Sequence, residues 1–508
     1  MRKDMKKRVV VIGGGLGGLF TGAILSKEGL QVTVLEKNIN IGGGLQTFFR
    51  NGEEFETSMH ILGGFQPGGT LDKICIYLGI AGCLDFAPDG NDCIDRVTYL
   101  CDGAEYRLPG GREAFVAYLS GRFPSEAAGI QGFVDLMYSM AAEVDIFNLR
   151  PTENFLAAHS IDFFRPIDEV MAGYVSDIRL KELLSFINPM YGGVKGHTPA
   201  YVHAIITVLY LNGQSKFRGG SRQLTEALVG VIEGHGGHVE GGCPVTSIGV
   251  EQKNVTYVET ADGVRHMADV YVSAIHPCAL LALLPPGTFN RTFTARLNEI
   301  PNSYSAFSAY FVMKPGMFPY LPGVNFCQRD YGTCWNLADT ADGVWPLGMM
   351  YITPCDNRQG RWARKVIVNC VMEFDEVRRW EHTCLGARPK EYDEWKRGKV
   401  AQITDIMGQL YPGFGAMVEH SYSASPLTIR DYYGVKDGSL YGYRKDSCNM
   451  ALSQMSVFTK VKNLMLTGQC INLHGICGVP LTAINTAEGI LGLNVVVNKI
   501  NEAYEKGL

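Results

Sequence analysis

Val9-Val10-Val11-Ile12-Gly13-Gly14-Gly15-Leu16-Gly17-Gly18, followed by a helical stretch, the apolar run Gln31-Val32-Thr33-Val34-Leu35 and then Glu36, is the part of this 508-residue chain that decides its fold. A short apolar strand that stops at a glycine turn lets the next helix aim its N-terminus at a pyrophosphate, where free N–H groups and the helix dipole favour negative charge. Gly13 permits the tight turn, Gly15 removes a side chain that would block the phosphate, and Gly18 lets the helix lie close against the strand. Glu36 stands 21 residues beyond Gly15, at the end of the second strand. There a carboxylate accepts both ribose hydroxyls of an adenosine and repels a 2′-phosphate. These parts predict a Rossmann-type unit for FAD or NAD rather than NADP, with a helix over 19–28 closed by Gly29.

The residues after Glu36 favour FAD. Lys37 leads into Ile41-Gly42-Gly43-Gly44-Leu45-Gln46-Thr47, and a second glycine loop at this distance suits a large flavin nucleotide, whereas an NAD dehydrogenase has no need of it. Near the other end, Leu464-Met465-Leu466-Thr467-Gly468-Gln469 reads as a strand ending in glycine. A glycine-rich turn through Gly475 and Gly478 and a helix over about 481–505 follow it. The candidate cofactor contacts are Gly13, Gly15, Leu16, Gly17, Gly18, Glu36, Lys37, Gly43, Gly44, Leu45, Gly468, Gln469, Gly478 and Val479.

Composition narrows the class. A formal net charge of -5, without a basic block or zinc-finger spacing, argues against nucleic acid as a partner. The 14 cysteines form no CxxC pair and read as reduced thiols of a cytoplasmic protein; the 11 histidines show no ligand spacing, so no metal site is expected. The basic cluster from Arg2 to Arg8 precedes a strand rather than a signal sequence. The longest apolar stretches, 202–211 and 278–284, fall far short of the roughly 20 residues that a spanning helix needs. Peripheral association with a membrane remains compatible with the sequence. The oligomeric state is left open.

Along the chain we expect an α/β architecture in which a Rossmann-type FAD-binding domain is assembled from residues 1–110, 217–284 and 451–508. A helical substrate-covering region over 111–216 and a mixed α/β substrate domain over 285–450 interrupt it. Within these, 71–79 reads as an amphipathic helix and 96–108 as a hairpin turning at Asp102-Gly103.

The order of these pieces resembles the phytoene-desaturase-like flavoprotein superfamily, in particular its branch of retinol saturases and carotenoid isomerases. The resemblance covers nearly the whole chain. It rests on Gly13 to Gly18 with Glu36, on Gly42 to Phe48, on Glu53 to Gly64, on Tyr106 to Phe115, on Phe123-Pro124-Ser125-Glu126, on His203-Ala204 ahead of Arg218-Gly219-Gly220-Ser221, and on Leu464 to Gly478. It implies noncovalent FAD and adds Val245, on a strand that passes the adenosine in relatives. There are departures. Where relatives read Phe-Asp-x-Gly-x-His-Tyr, this chain has Phe55-Glu56-Thr57-Ser58-Met59-His60-Ile61, and Gln469 replaces an acid common after the last strand. Gln469 keeps a hydrogen bond and loses a charge.

The resemblance implies reduction of a carbon–carbon double bond in a retinoid, carotenoid-like or other polyene lipid. Desaturation, cis–trans isomerisation, or lipid binding without turnover are the alternatives. No side chain carries two electrons, so the flavin must. NAD(P)H would act as a transient reductant, because no second nucleotide motif follows a strand. His60 is the candidate for proton transfer or substrate positioning. His203, in an apolar helix, reads as core, and His474 as either a flavin neighbour or a loop cap. Tyr304, Phe307, Tyr310 and Phe311 fit a lipid tunnel or ordinary sheet packing.

Overall fold

The computed structural model describes residues 6–58, 61–87, 95–152, 159–340, 343–355, 360–450 and 454–507. The opening motif forms as expected. Arg8–Ile12 pairs in parallel with Gln31–Leu35 on one side and with Val270–Ser273 on the other, and His238–Glu240 and Leu464–Leu466 complete a five-stranded parallel sheet. Its strands are nearly continuous apolar runs because both faces are covered. The first helix, Leu16–Lys27, is buried along almost its whole length. It lies between this sheet and the helices Arg222–Gly234 and Gly475–Leu491. It begins three residues earlier than the sequence suggested, since Leu16, Gly17 and Gly18 are already helical.

A second sheet of seven strands has the order Val418–Ala424, Ser305–Met313, Lys365–Met372, Gly348–Ile352, Val324–Gln328, Asp95–Tyr99, Glu105–Leu108. Its first members pair antiparallel, and Val324–Gln328 joins Asp95–Tyr99 in parallel. The hairpin at Asp102-Gly103 is present, but it belongs to this sheet. Residues 95–108, expected within the first segment 1–110, thus pair with the second sheet instead of the parallel one. Pairing between residues this far apart in sequence leaves no local signature.

Alternation along Ser305–Met313 divides the second sheet into two faces. Phe307, Ala309, Phe311 and Met313 pack into a core with Ile403, Ile406 and Met407 of the helix Lys390–Leu410. Ala306, Ser308 and Tyr310 face a cavity. Of the four aromatics named from the sequence, only Tyr310 lines that space: Phe307 and Phe311 are sheet packing, and Tyr304 packs against Leu337 and Val371.

Residues 111–216 carry the helices Arg112–Arg122, Ala127–Ala142, Ile167–Ala172, Ile178–Leu184 and Ala200–Leu211. The C-terminal helix differs from the expectation. It is two helices, Gly475–Leu491 and Val495–Glu505, bent by 117°. Pro480 lies inside the first of them, and Gly492 ends it at a φ of 118°, a conformation that favours glycine. Among the described residues, no single helix is long and apolar enough to cross a membrane.

Candidate functional site

Two glycine loops meet at the C-terminal edge of the parallel sheet. The Gly42 N–H donates to the Gly14 carbonyl at 2.9 Å, and Gly15 and Gly42 form a parallel bridge. Gly15 caps Leu16–Lys27 without a side-chain hydrogen bond, so the cap residue leaves the first-turn N–H groups of that helix without a side-chain acceptor among the described residues. The third loop arrives from the far end of the chain: a Cβ on Gly17 would lie 2.8 Å from the Gly468 α-carbon and 3.3 Å from Val479.

Glu36 is 6% exposed. Its carboxylate accepts the Gly14 N–H at 2.7 Å and the Asn38 N–H at 2.9 Å. Its backbone is clamped too, donating to the Glu240 carbonyl and accepting from the Cys243 N–H, each at 2.8 Å. This places the approach to Val245, the first residue of Val245–Glu251, beside Glu36. Lys37 turns elsewhere, and its Nζ donates to the Asp431 carbonyl at 2.7 Å. Burial holds its pKa below the ordinary lysine value despite Glu36 and Asp431 nearby. Gly44 offers its carbonyl to Ser58 Oγ at 2.9 Å and Thr57 Oγ1 at 3.2 Å, which ties the hairpin Thr47–Arg50 and Glu53–Glu56 to the second glycine loop. Leu45 is fully buried, and Gly478 packs against Leu473.

Next to these loops opens a cavity of about 990 Å³. Its wall on one side is the seven-stranded sheet, through Tyr310, Ser308, Asn369, Met350, Phe326 and Gln328. The helix Ala200–Leu211 faces it with Ile206, Leu209 and Tyr210, and the glycine-loop end is bordered by Leu45, Gln46, Gln469 and His474. Leu45 and Gln469 are thus the two sequence-named cofactor candidates on the cavity surface.

Inside, the described lining of the cavity is uncharged. The charged side chains that border it, Arg50, Arg222, Glu226 and Glu233, are all exposed at its rim. His474 is held neutral: burial, assisted by the Lys445 charge, pushes its pKa down to about 3. Burial likewise raises the phenols of Tyr310, Tyr433 and Tyr441 above the ordinary tyrosine range, so they stay protonated. Tyr433 donates to Thr57 Oγ1 at 3.2 Å and Tyr441 to the Pro189 carbonyl at 3.1 Å.

Two further buried polar atoms bear on what this end can hold. Gln46 Nε2 and Thr225 Oγ1 border the cavity and have no hydrogen-bond partner among the described residues. A Cβ on Gly42 would meet Thr225 Oγ1 at 2.7 Å. Unpaired buried donors beside side-chain-free loops and an acidic strand end fit a bound dinucleotide. Gln46 stands in a glycine-rich run that gives it no role by itself, and Thr225 lies in no motif; only the fold brings Thr225 under Gly42.

His60 lies outside the described residues. The described residues nearest to it in sequence, Ser58 and Ile61, both line the cavity. His203 is fully buried in Ala200–Leu211 and shares a 2.7 Å hydrogen bond with Tyr191, in keeping with the core reading. His197, Asp446 and Cys448 gather within 4.8 Å of one another, a cluster that spacing did not reveal. His197 and Arg444 already engage the Asp446 carboxylate.

The profile of the flavin-containing amine oxidoreductases matches residues 16–317. The chain belongs to that family. It is an FAD-dependent oxidoreductase, as the two glycine loops led us to expect. Human all-trans-retinol 13,14-reductase is 26% identical over 96% of this chain and 86% of its own length. A chloroplastic prolycopene isomerase of Arabidopsis thaliana is 22% identical over 98% and 85%. These relatives fall in the branch that the sequence motifs resemble. Among solved structures, an oxidoreductase from Methanosarcina mazei superposes with a TM-score of 0.63 at 16% identity, covering 95% of this chain and 100% of that one. That likeness supports the α/β fold.

Proposed function

We propose that this flavoenzyme acts on a carbon–carbon double bond of a retinoid, carotenoid-like or related polyene lipid, with reduction as the leading reaction. The observation that carries this reading is the large uncharged cavity that begins at the glycine loops. An amine substrate binds as an ammonium ion and is favoured by a carboxylate in the pocket, and among the described residues the carboxylates bordering this one, Glu226 and Glu233, stand at its exposed rim. A polyene asks for length, apolar walls and exclusion of water. The relatives named for retinol reduction and prolycopene isomerisation support the same reading.

In this proposal Gly13 to Gly18, Gly43 to Gln46, Glu36, Thr225, Gly468 and Gln469 hold the FAD, which supplies a two-electron hydride carrier when bound. The chain's own residues do the rest. Glu36 keeps the first loop in shape through its two backbone hydrogen bonds and offers its remaining lone pairs to the ribose. Ile206, Leu209, Phe326 and Met350 hold the alkene in an apolar slot, and neutral phenols at Tyr310 and Tyr433 stand near the glycine-loop end as proton-bearing groups. Rim residues Ile39, Phe49 and Tyr432 expose apolar surface at the mouth, which supports loading of substrate from a lipid surface.

Anaerobic photoreduction of the holoprotein followed by all-trans-retinol or prolycopene tests the proposal. A reductase substrate is consumed in proportion to the flavin reoxidised, and an isomerase substrate changes without reoxidising it. If neither polyene is altered, the reading falls.

A further inference from the structure

One cross-strand row of the cavity wall carries a polar pair. Ala424, Ser308, Asn369, Met350 and Phe326 stand opposite one another on successive strands of the second sheet, and all five border the cavity. Ala424, Met350 and Phe326 are apolar. Ser308 Oγ donates to Asn369 Oδ1 at 2.6 Å, which fixes the carboxamide by its oxygen. The other end of that amide carries two N–H donors, and Asn369 Nδ2 donates to no acceptor among the described residues. Unlike the sealed Gln46 Nε2, it belongs to a half-buried residue that keeps exposure at the cavity surface.

The pair stands between two contacts with the glycine-loop end. Tyr310, two residues beyond Ser308 on the same face and roughly 7 Å along the strand, reaches the Thr57 carbonyl at 3.5 Å, and Thr57 Oγ1 donates to the Gly44 carbonyl at 3.2 Å. On the other side, just ahead of the strand, Ser303 Oγ accepts the Tyr441 N–H at 2.9 Å. The Tyr441 ring in turn lies 5.4 Å from the imidazole of His474, the residue that caps Gly475–Leu491. The open Asn369 donor thus belongs to the part of the sheet that these loops approach from both directions.

We propose that Asn369, oriented by Ser308, is a specificity-determining residue that donates to the hydroxyl oxygen of an otherwise apolar substrate at the glycine-loop end of the cavity. This rests on the polyene reading above and adds to it which end of the molecule enters first and which class of polyene is preferred. An open N–H calls for an acceptor. A hydrocarbon such as prolycopene has none, an ammonium has no lone pair, and a carboxylate would bring a charge that the described lining does not counter. A hydroxyl oxygen is neutral and accepts. In all-trans-retinol the carbon bearing the hydroxyl is bonded directly to the 13,14 double bond, so holding the oxygen here brings that alkene to the same end of the cavity.

The test is binding to the oxidised holoprotein, read by quenching of tryptophan fluorescence, with all-trans-retinol and with the same polyene carrying hydrogen in place of the hydroxyl. Wild type is expected to prefer the alcohol by about tenfold or more, since a site that hydrogen-bonds a hydroxyl rejects an analogue without one. Asn369→Leu, close in volume, and Asn369→Val, with the branched shape that strands favour, both remove the donor. Each should bring the preference to about twofold or less while FAD content and melting temperature hold. If one variant does not fold, the other decides. A wild type with no preference, or variants that keep it or lose both ligands alike, overturns the assignment and leaves the polyene reading standing, whereas failure of wild type to bind either polyene overturns both.

Discussion

Gly18 sits so close to Gly13 that a Cβ on Gly18 would stand 1.9 Å from the Gly13 carbonyl oxygen. No side-chain rotation relieves that overlap, because both atoms belong to the backbone frame of the strand–turn–helix. Gly18→Ala should therefore cost at least about 3 kcal/mol, the upper part of the range for overpacked sites, and lower FAD occupancy with it. Gly398, inside Lys390–Leu410, has open space around it, and Gly398→Ala should gain about 0.5–1 kcal/mol from helix propensity. Chemical denaturation of the two variants checks the contrast.

Glu36 has work to do even before any nucleotide binds, because its carboxylate accepts two backbone N–H groups. Glu36→Ala should destabilise the apoprotein by about 1.5–3 kcal/mol, as for hydrogen bonds to a charged group, and should weaken FAD binding further. Glu36→Gln keeps one acceptor and should fall between. Thermal melts of apoprotein and fluorescence titration with FAD separate the two effects; an apoprotein unaffected by Glu36→Ala would mean that the loop holds its shape without the acid.

The two faces of Ser305–Met313 should respond differently to mutation. Phe311→Ala opens a hole under Phe414 and Phe318 and should cost about 3–5 kcal/mol, with ligand affinity per folded molecule unchanged. Tyr310→Phe removes only a hydroxyl from the cavity wall. It should leave the melting temperature within a few degrees and change polyene affinity or turnover.

His203 gives a pH signature. Burial pushes its pKa down to about 3, against about 6.5 in an unfolded chain. Below about pH 6.5 the unfolded chain binds a proton that the folded one refuses, so stability falls as the pH drops toward 3. Asp95 acts in the opposite sense: burial raises its pKa to about 7, and its contribution, present at low pH, is lost as the pH rises through that value. Comparing His203→Gln with wild type cancels Asp95. The variant's stability should decline less on acidification, by up to about 1.4 kcal/mol per pH unit, measured by urea unfolding between pH 6.5 and 4.5.

What could be read from the sequence follows the range of the interactions. Gly13, Gly18 and Glu36 act within one βαβ unit, and their spacing carried the cofactor class and the start of the fold. The hairpin 95–108 was recognisable by its turn but not by its sheet, since its partner Val324–Gln328 enters more than 200 residues later. Thr225 offers no motif, and only the approach of Gly42 makes it part of the site. His60 carries the sequence argument for proton transfer and lies outside the described residues; Tyr310 and Tyr433, found only through the fold, bring protonated phenols to the cavity.

The order in which the parallel sheet is threaded bears on biosynthesis. Arg8–Ile12 leaves the ribosome early, but its sheet is closed by Leu464–Leu466, and the Gly468 loop that presses on Gly17 follows. At about 5–20 residues/s, the usual pace of synthesis, roughly 450 residues separate the two events by on the order of 20–90 s. For the last roughly 190 residues of that interval, on the order of 10–40 s at the same pace, the exposed edge of Val270–Ser273 is an unpaired template for other chains. On the proposed cofactor site, FAD cannot be gripped from all sides until translation has passed residue 468. Cells short of flavin should therefore accumulate full-length, aggregation-prone chains rather than stalled fragments.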